Sequence, residues 1–249
     1  MSGFNSYSDD PEPLQGIGKR AWIVAGNKGG VGKSLVAKLL VEWLAKECRL
    51  VTVIDGDIRT ADVYQAFIDE YQCIQFDLAD WDGWLALTDE MYALEGDVVI
   101  NLPDGISAKA VDWFSRFYPM VTDFQFDITA LFVINTLPDG LEFYPELKRC
   151  FPNVHPVKNL YFGDMDDFQH FDAMTDGAEG DIILPAMNRE LMGVVRNTNL
   201  SFSKYLQGGD DPRIFLTARV TLGEWVGEAF AALDDLKLLD SDISGRIGG

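Results

Sequence analysis

The segment Val24-Ala25-Gly26-Asn27-Lys28-Gly29-Gly30-Val31-Gly32-Lys33-Ser34 restricts the folds open to this chain more than any other. An apolar, β-type run from Ala21 to Ala25 leads into it. Leu35, Val36, Leu39, Leu40, Trp43 and Leu44 follow at spacings of three and four, which predicts a helix beginning near Ser34. Strand, glycine loop and helix together make a phosphate cradle. Gly29, Gly30 and Gly32 allow backbone N–H groups to converge on an anion, and the helix start adds partial positive charge. Lys33 brings a full charge, and the Ser34 hydroxyl is able to ligate Mg²⁺.

Further apolar runs bounded by polar residues predict parallel strands at 49–57, 97–105, 128–140 and 154–163, with a weaker one at 180–187. Helical segments alternate with them, and residues 60–96 read as helices covering the sheet. This alternation predicts a single doubly wound, mostly parallel α/β domain over 19–240. Flexible ends are expected at 1–18 and 241–249, both rich in small or polar residues. In such a sheet, ligands collect at the carboxyl ends of the strands. Asp55 and Asp57 fall there, as do Asn101, Asn135 and Asn159.

The strict pattern G-x-x-x-x-G-K-S/T is not met, because Asn27 holds its first glycine position. What is met is K-G-G-x-G-K-S/T, with a second lysine, Lys28, early in the loop. In this the chain resembles the deviant Walker A group of P-loop ATPases typified by ParA and MinD. Plasmid-borne members of the StbB/TraL type are the nearest likeness. The resemblance implies an ATPase using ATP and Mg²⁺, with residues 27–35 (Asn27, Lys28, Gly29, Gly30, Val31, Gly32, Lys33, Ser34 and Leu35) around the nucleotide. Lys28 would reach across an ATP-dependent homodimer to the partner's phosphates.

By the same resemblance, "VIDGDIRTAD" is the first switch region. Asp57 would hold the attacking water, and Asp55 would sit near the metal shell beside Ser34. "DVVINLPDG" corresponds to Walker B and the second switch, usually D-x-P-x-G, with Asn101 in the aspartate's place. A neutral amide can still accept from a metal-bound water but adds no charge, so hydrolysis is expected to be slow. Restoring an aspartate at 101 is expected to strengthen the metal site. Asn159 is preferred over Asn135 as the reader of the base.

Charge limits the partners. Forty acidic residues against twenty basic ones give a formal net charge of -20, which disfavours unaided binding to DNA or anionic lipid. The terminal segments lack a secretory signal and a basic amphipathic helix, so a cytoplasmic protein off the membrane is expected. Cys48, Cys73 and Cys150 are too widely spaced for a disulfide framework or metal site. The resemblance therefore implies a switch acting through a protein partner or cargo adaptor, in plasmid maintenance, partition or conjugative transfer. Two other readings share the scaffold: a small-molecule ligase or kinase, and a nucleotide-responsive binding module with little hydrolysis.

Overall fold

The computed structural model describes residues 18–26, 28–106, 108–175, 180–208 and 215–246, with backbone alone at 108, 109 and 237–246. The strands are β1 (Lys19–Gly26), β2 (Val51–Asp55), β3 (Gln72–Gln75), β4 (Asp97–Asn101), β5 (Phe126–Ile134), β6 (Asn153–Asn159) and β7 (Ile182–Leu184). They form one sheet in the order β3-β2-β4-β1-β5-β6-β7, with every pair parallel. The helices are α1 (Lys33–Lys46), α2 (Asp62–Phe67), α3 (Trp81–Met91), α4 (Ala108–Asp123), α5 (Phe143–Cys150), α6 (Gln169–Thr175), α7 (Arg189–Thr198), α8 (Phe202–Gln207) and α9 (Leu216–Arg246). A 3₁₀ turn, Met165–Phe168, precedes α6.

The doubly wound sheet expected from the alternation is present, and the period of two sorts its side chains into two cores. In β1, Trp22 and Val24 face a layer built from α1, α2, α7, α8 and α9. Ala21, Ile23 and Ala25 face the layer of α3, α4, α5 and α6. Trp84 of α3 centres the second layer, edge-on to Phe114 and Phe117 at 5.1 and 5.3 Å, with its indole N–H donating to Leu78 O at 2.9 Å. Truncating a side chain so placed costs about 3–5 kcal/mol.

Three features of the chain differ from the sequence expectation. Residues 60–96 are not wholly helical: Gln72–Gln75 adds an edge strand to β2. Four residues, one exposed and three half-buried, carry too little apolar alternation to reveal it. The expected strands after β1 end earlier than expected, β4 at Asn101 and β5 at Ile134. Apolar Leu102 and Leu137 continue the pattern into what are turns. Helix α9 runs on to Arg246, past the expected domain end at 240, while residues 1–17 and 247–249 of the expected arm and tail lie outside the described residues. The aromatic stretch from Phe168 to Phe171 buries both rings in the second layer.

Candidate functional site at the carboxyl edge

β1 ends in the glycine loop, and α1 starts from it at Gly32, whose φ of 108° lies in the left-handed region. A side chain there would also put its Cβ 2.6 Å from Asn159 Nδ2, so two constraints converge on glycine. The first turn of α1 holds no acidic residue, leaving its amides free of a built-in counter-charge. Lys33 is only 7% exposed, and its Nζ pairs with Asp104 Oδ1 and donates to Lys28 O at 3.2 Å.

A cavity of ≈ 260 Å³ opens beside this loop. It is lined by Gly30, Gly32, Lys33 and Ser34 of the loop and helix start, by Leu35, Asp57, Asn101 and Asn159, and by Tyr161, Phe162, Met192, Val195 and Arg196. Lys28 and Gly29 line a second cavity of ≈ 210 Å³, whose walls include Pro103, Gly105, Gly140 and Glu142. Val31 is buried in the first core. Asn27 lies outside the described residues.

The strand-end acids divide their work. Asp55 is fully buried and accepts from four donors: Asp57 N, Asn101 Nδ2, Val63 N and Tyr64 N, at 3.0–3.2 Å. It thus caps the start of α2 from behind the cavity wall. Burial pushes its carboxyl above the ordinary value, against hydrogen bonds that favour the carboxylate. Asp57 does face the cavity, held by Arg59 N and Thr60 Oγ1, each at 3.1 Å.

Asn101 is 2% exposed; its Nδ2 donates to Asp55 and its Oδ1 has no hydrogen-bond partner. An orphaned acceptor on a cavity wall beside Ser34 is the feature that fits a metal-bound water. Among the described residues no cluster of three or more His, Cys, Asp or Glu could hold an ion by itself.

Asn159 is committed to the loop. Its Nδ2 donates to Val31 O at 2.9 Å and its Oδ1 accepts from Tyr161 N at 3.1 Å. Asn135 accepts from Leu137 N at 3.1 Å, shaping the turn after β5. The rest of the lining was not legible in the sequence. Tyr161 and Phe162 follow β6 directly and were a readable signal, whereas Met192, Val195 and Arg196 come from α7, in a region that matches no recognisable motif. Lys38, also on the wall, donates to Asn199 Oδ1 at 3.1 Å. Burial pushes its amine down, opposed by Asp62, Asp55 and Glu42.

No protein-family model matches the chain. It is 25% identical over 227 residues to protein MobD of Acidithiobacillus ferrooxidans, a match covering 88% of this chain and 98% of MobD. The septum site-determining protein MinD of Pyrococcus horikoshii, complexed with Mg-ADP, superposes with a TM-score of 0.50 at 16% identity, over 84% of this chain and 96% of MinD. A ParA family ATPase from Chlorobium tepidum gives a TM-score of 0.51 at 13% identity, over 84% and 98% of the two chains. The architecture is therefore the P-loop fold of the ParA and MinD ATPases. Among the described residues no helix is long and apolar enough to cross a membrane.

Proposed function

We propose that this protein binds ATP with Mg²⁺ in the larger cavity and hydrolyses it slowly, as a switch that pairs with a second copy and engages a protein partner. One observation carries the reading. A single cavity is lined both by the glycine loop, with Lys33 and Ser34, and by Tyr161, Phe162 and Arg196. Phosphates and a purine are the two halves of one ligand that such a lining accommodates.

Lys33 and the loop amides bind the phosphate oxygens. Ser34 Oγ and, through a bound water, Asn101 Oδ1 would hold Mg²⁺, whose charge neutralises the phosphates when it is bound. Asp57, fixed by its two donors, orients the attacking water. Asn159 acts here as a brace on the loop, with the base held by Arg196 and the aromatic pair. Asn101 brings no charge to the metal, which favours slow turnover over rapid catalysis. The role in plasmid maintenance or transfer, self-association and the use of Lys28 across the dimer draw on the K-G-G-x-G-K-S resemblance.

Calorimetric titration of MgATP into wild type and Lys33→Ala, with light scattering on the loaded samples, tests the proposal. We expect wild type to bind and dimerise in ATP but not ADP, and Lys33→Ala to lose binding. Equal affinities in the two proteins would contradict it.

A further inference from the structure

Two identical tetrapeptides, Leu102-Pro103-Asp104-Gly105 and Leu137-Pro138-Asp139-Gly140, follow the carboxyl ends of β4 and β5. Those are the two strands that flank β1, so the turns stand on either side of the glycine loop that β1 feeds. Each closes on a glycine at positive φ, 75° at Gly105 and 77° at Gly140, a conformation that favours glycine. Each also sends its aspartate to one loop lysine. Asp104 Oδ1 pairs with Lys33 Nζ, and Asp139 Oδ2 lies 3.3 Å from Lys28 Nζ.

Asp104 sits in the cradle itself. A Cβ at Gly29 would fall 2.6 Å from Asp104 Oδ2, and Asp104 lines the same cavity as Ser34. The second cavity lies between the two turns, with Lys28 and Lys33 on its wall beside Gly105 and Gly140. A carboxylate presents the same charged oxygen acceptors to an ammonium as a phosphate does. Lys33 is nearly buried, so its charge needs such a partner whenever no phosphate is bound.

We propose that the twin L-P-D-G turns are a latch of two carboxylates, Asp104 and Asp139, which hold the loop lysines in the nucleotide-free protein and are displaced by phosphate. The inference rests on the nucleotide reading above and adds an autoinhibitory contact to it. Each oxyanion that arrives at Lys33 competes with Asp104. Asp104 is 48% exposed and covers a lysine that is 7% exposed; Asp139 is 72% exposed over one that is 33% exposed. The Asp104 arm is therefore the strong one, since ion pairs weaken with solvent access.

Two measurements on wild type, Asp104→Asn, Asp139→Asn and Lys33→Ala test the latch. The first is lysine acetylation of the nucleotide-free proteins, read by mass spectrometry. Asp104→Asn should raise modification of Lys33, and Asp139→Asn that of Lys28, each about threefold, with little cross-effect. The second is binding of tripolyphosphate without Mg²⁺, where Asp104→Asn should tighten affinity about fivefold and Asp139→Asn about twofold. Asp104→Ser, without a carboxylate, should behave like Asp104→Asn and replaces it should that variant misfold. Unchanged Lys33 labelling, or an affinity for tripolyphosphate that is equal or weaker in Asp104→Asn, overturns the latch. Labelling and tripolyphosphate affinity that change as expected while wild type does not bind ATP keep the latch and refute the nucleotide reading.

Discussion

Strand β4 carries a buried polar residue at each end, and the two are treated oppositely. Asp97, at the amino end, is fully buried, accepts from Trp22 Nε1 at 3.0 Å and is ion-paired to Arg49. Asn101, four positions along the same strand, donates to Asp55 and leaves its side-chain Oδ1 without a partner on a cavity wall. The fold closes one edge of the sheet electrostatically and leaves an unpaired acceptor on a cavity wall at the other. Stability and ligand binding should therefore separate along a single strand.

The largest test of that separation is Asp97→Ala, which strands the Arg49 guanidinium and the Trp22 N–H. It should cost about 3–5 kcal/mol in urea denaturation, with nucleotide affinity of the folded fraction unaltered. A change in affinity without loss of stability would break the comparison. Lys33→Ala should do the reverse, weakening ATP binding at least a hundredfold, about 2.7 kcal/mol by titration. Its stability should move by less than about 1 kcal/mol, since Asp104 can turn to water.

Asn101→Asp sharpens the contrast and revises the sequence expectation. The new carboxylate would face Asp55 where the amide now donates at 3.0 Å, and two buried carboxylates in contact share a proton. The shared proton gives the folded state a raised pKa, so stability is highest at low pH and is lost as pH rises. A melting series should show a deficit of about 2 kcal/mol at pH 8 that shrinks towards pH 5 and is partly recovered by Mg²⁺.

The smallest effect is expected away from both edges. Glu42 of α1 accepts from Phe202 N and Ser203 N at the start of α8, and burial pushes its carboxyl up to about 7. Between the ordinary value of 4.5 and about 7 the folded state holds more proton than the unfolded one, so this group lowers stability as pH rises through that window. Glu42→Gln keeps an acceptor and should flatten that slope in a pH series of denaturation curves, leaving ATP affinity unchanged.

What was readable in the sequence was what lies consecutively in it. The cradle is a run of neighbouring residues, and its strand, loop and helix could be placed from residue types alone. Strand ends were less readable: Leu102 and Leu137 prolong the apolar pattern while Pro103 and Pro138 turn the chain, so the loops that carry Asp104 and Asp139 were counted as strand. The short edge strand at Gln72–Gln75 has too few apolar residues to announce itself and is held by backbone pairing with β2. Roles that depend on contacts across the fold were not legible. No spacing reveals that Asn159 reaches Val31 O, that Asp55 caps α2, or that Arg196 of α7 meets the wall begun by Tyr161.

The central claim is that one cavity holds both halves of a nucleotide, and photolabelling with ATP carrying an azide on the purine tests it most directly. Irradiation followed by peptide mapping should place the label on the segments containing Tyr161 and Phe162 or Met192 to Arg196, with labelling abolished by excess ATP and by Lys33→Ala. Label on the segment from Gly140 to Phe143, beside the second cavity, or competition-proof label spread over the surface, would contradict the account.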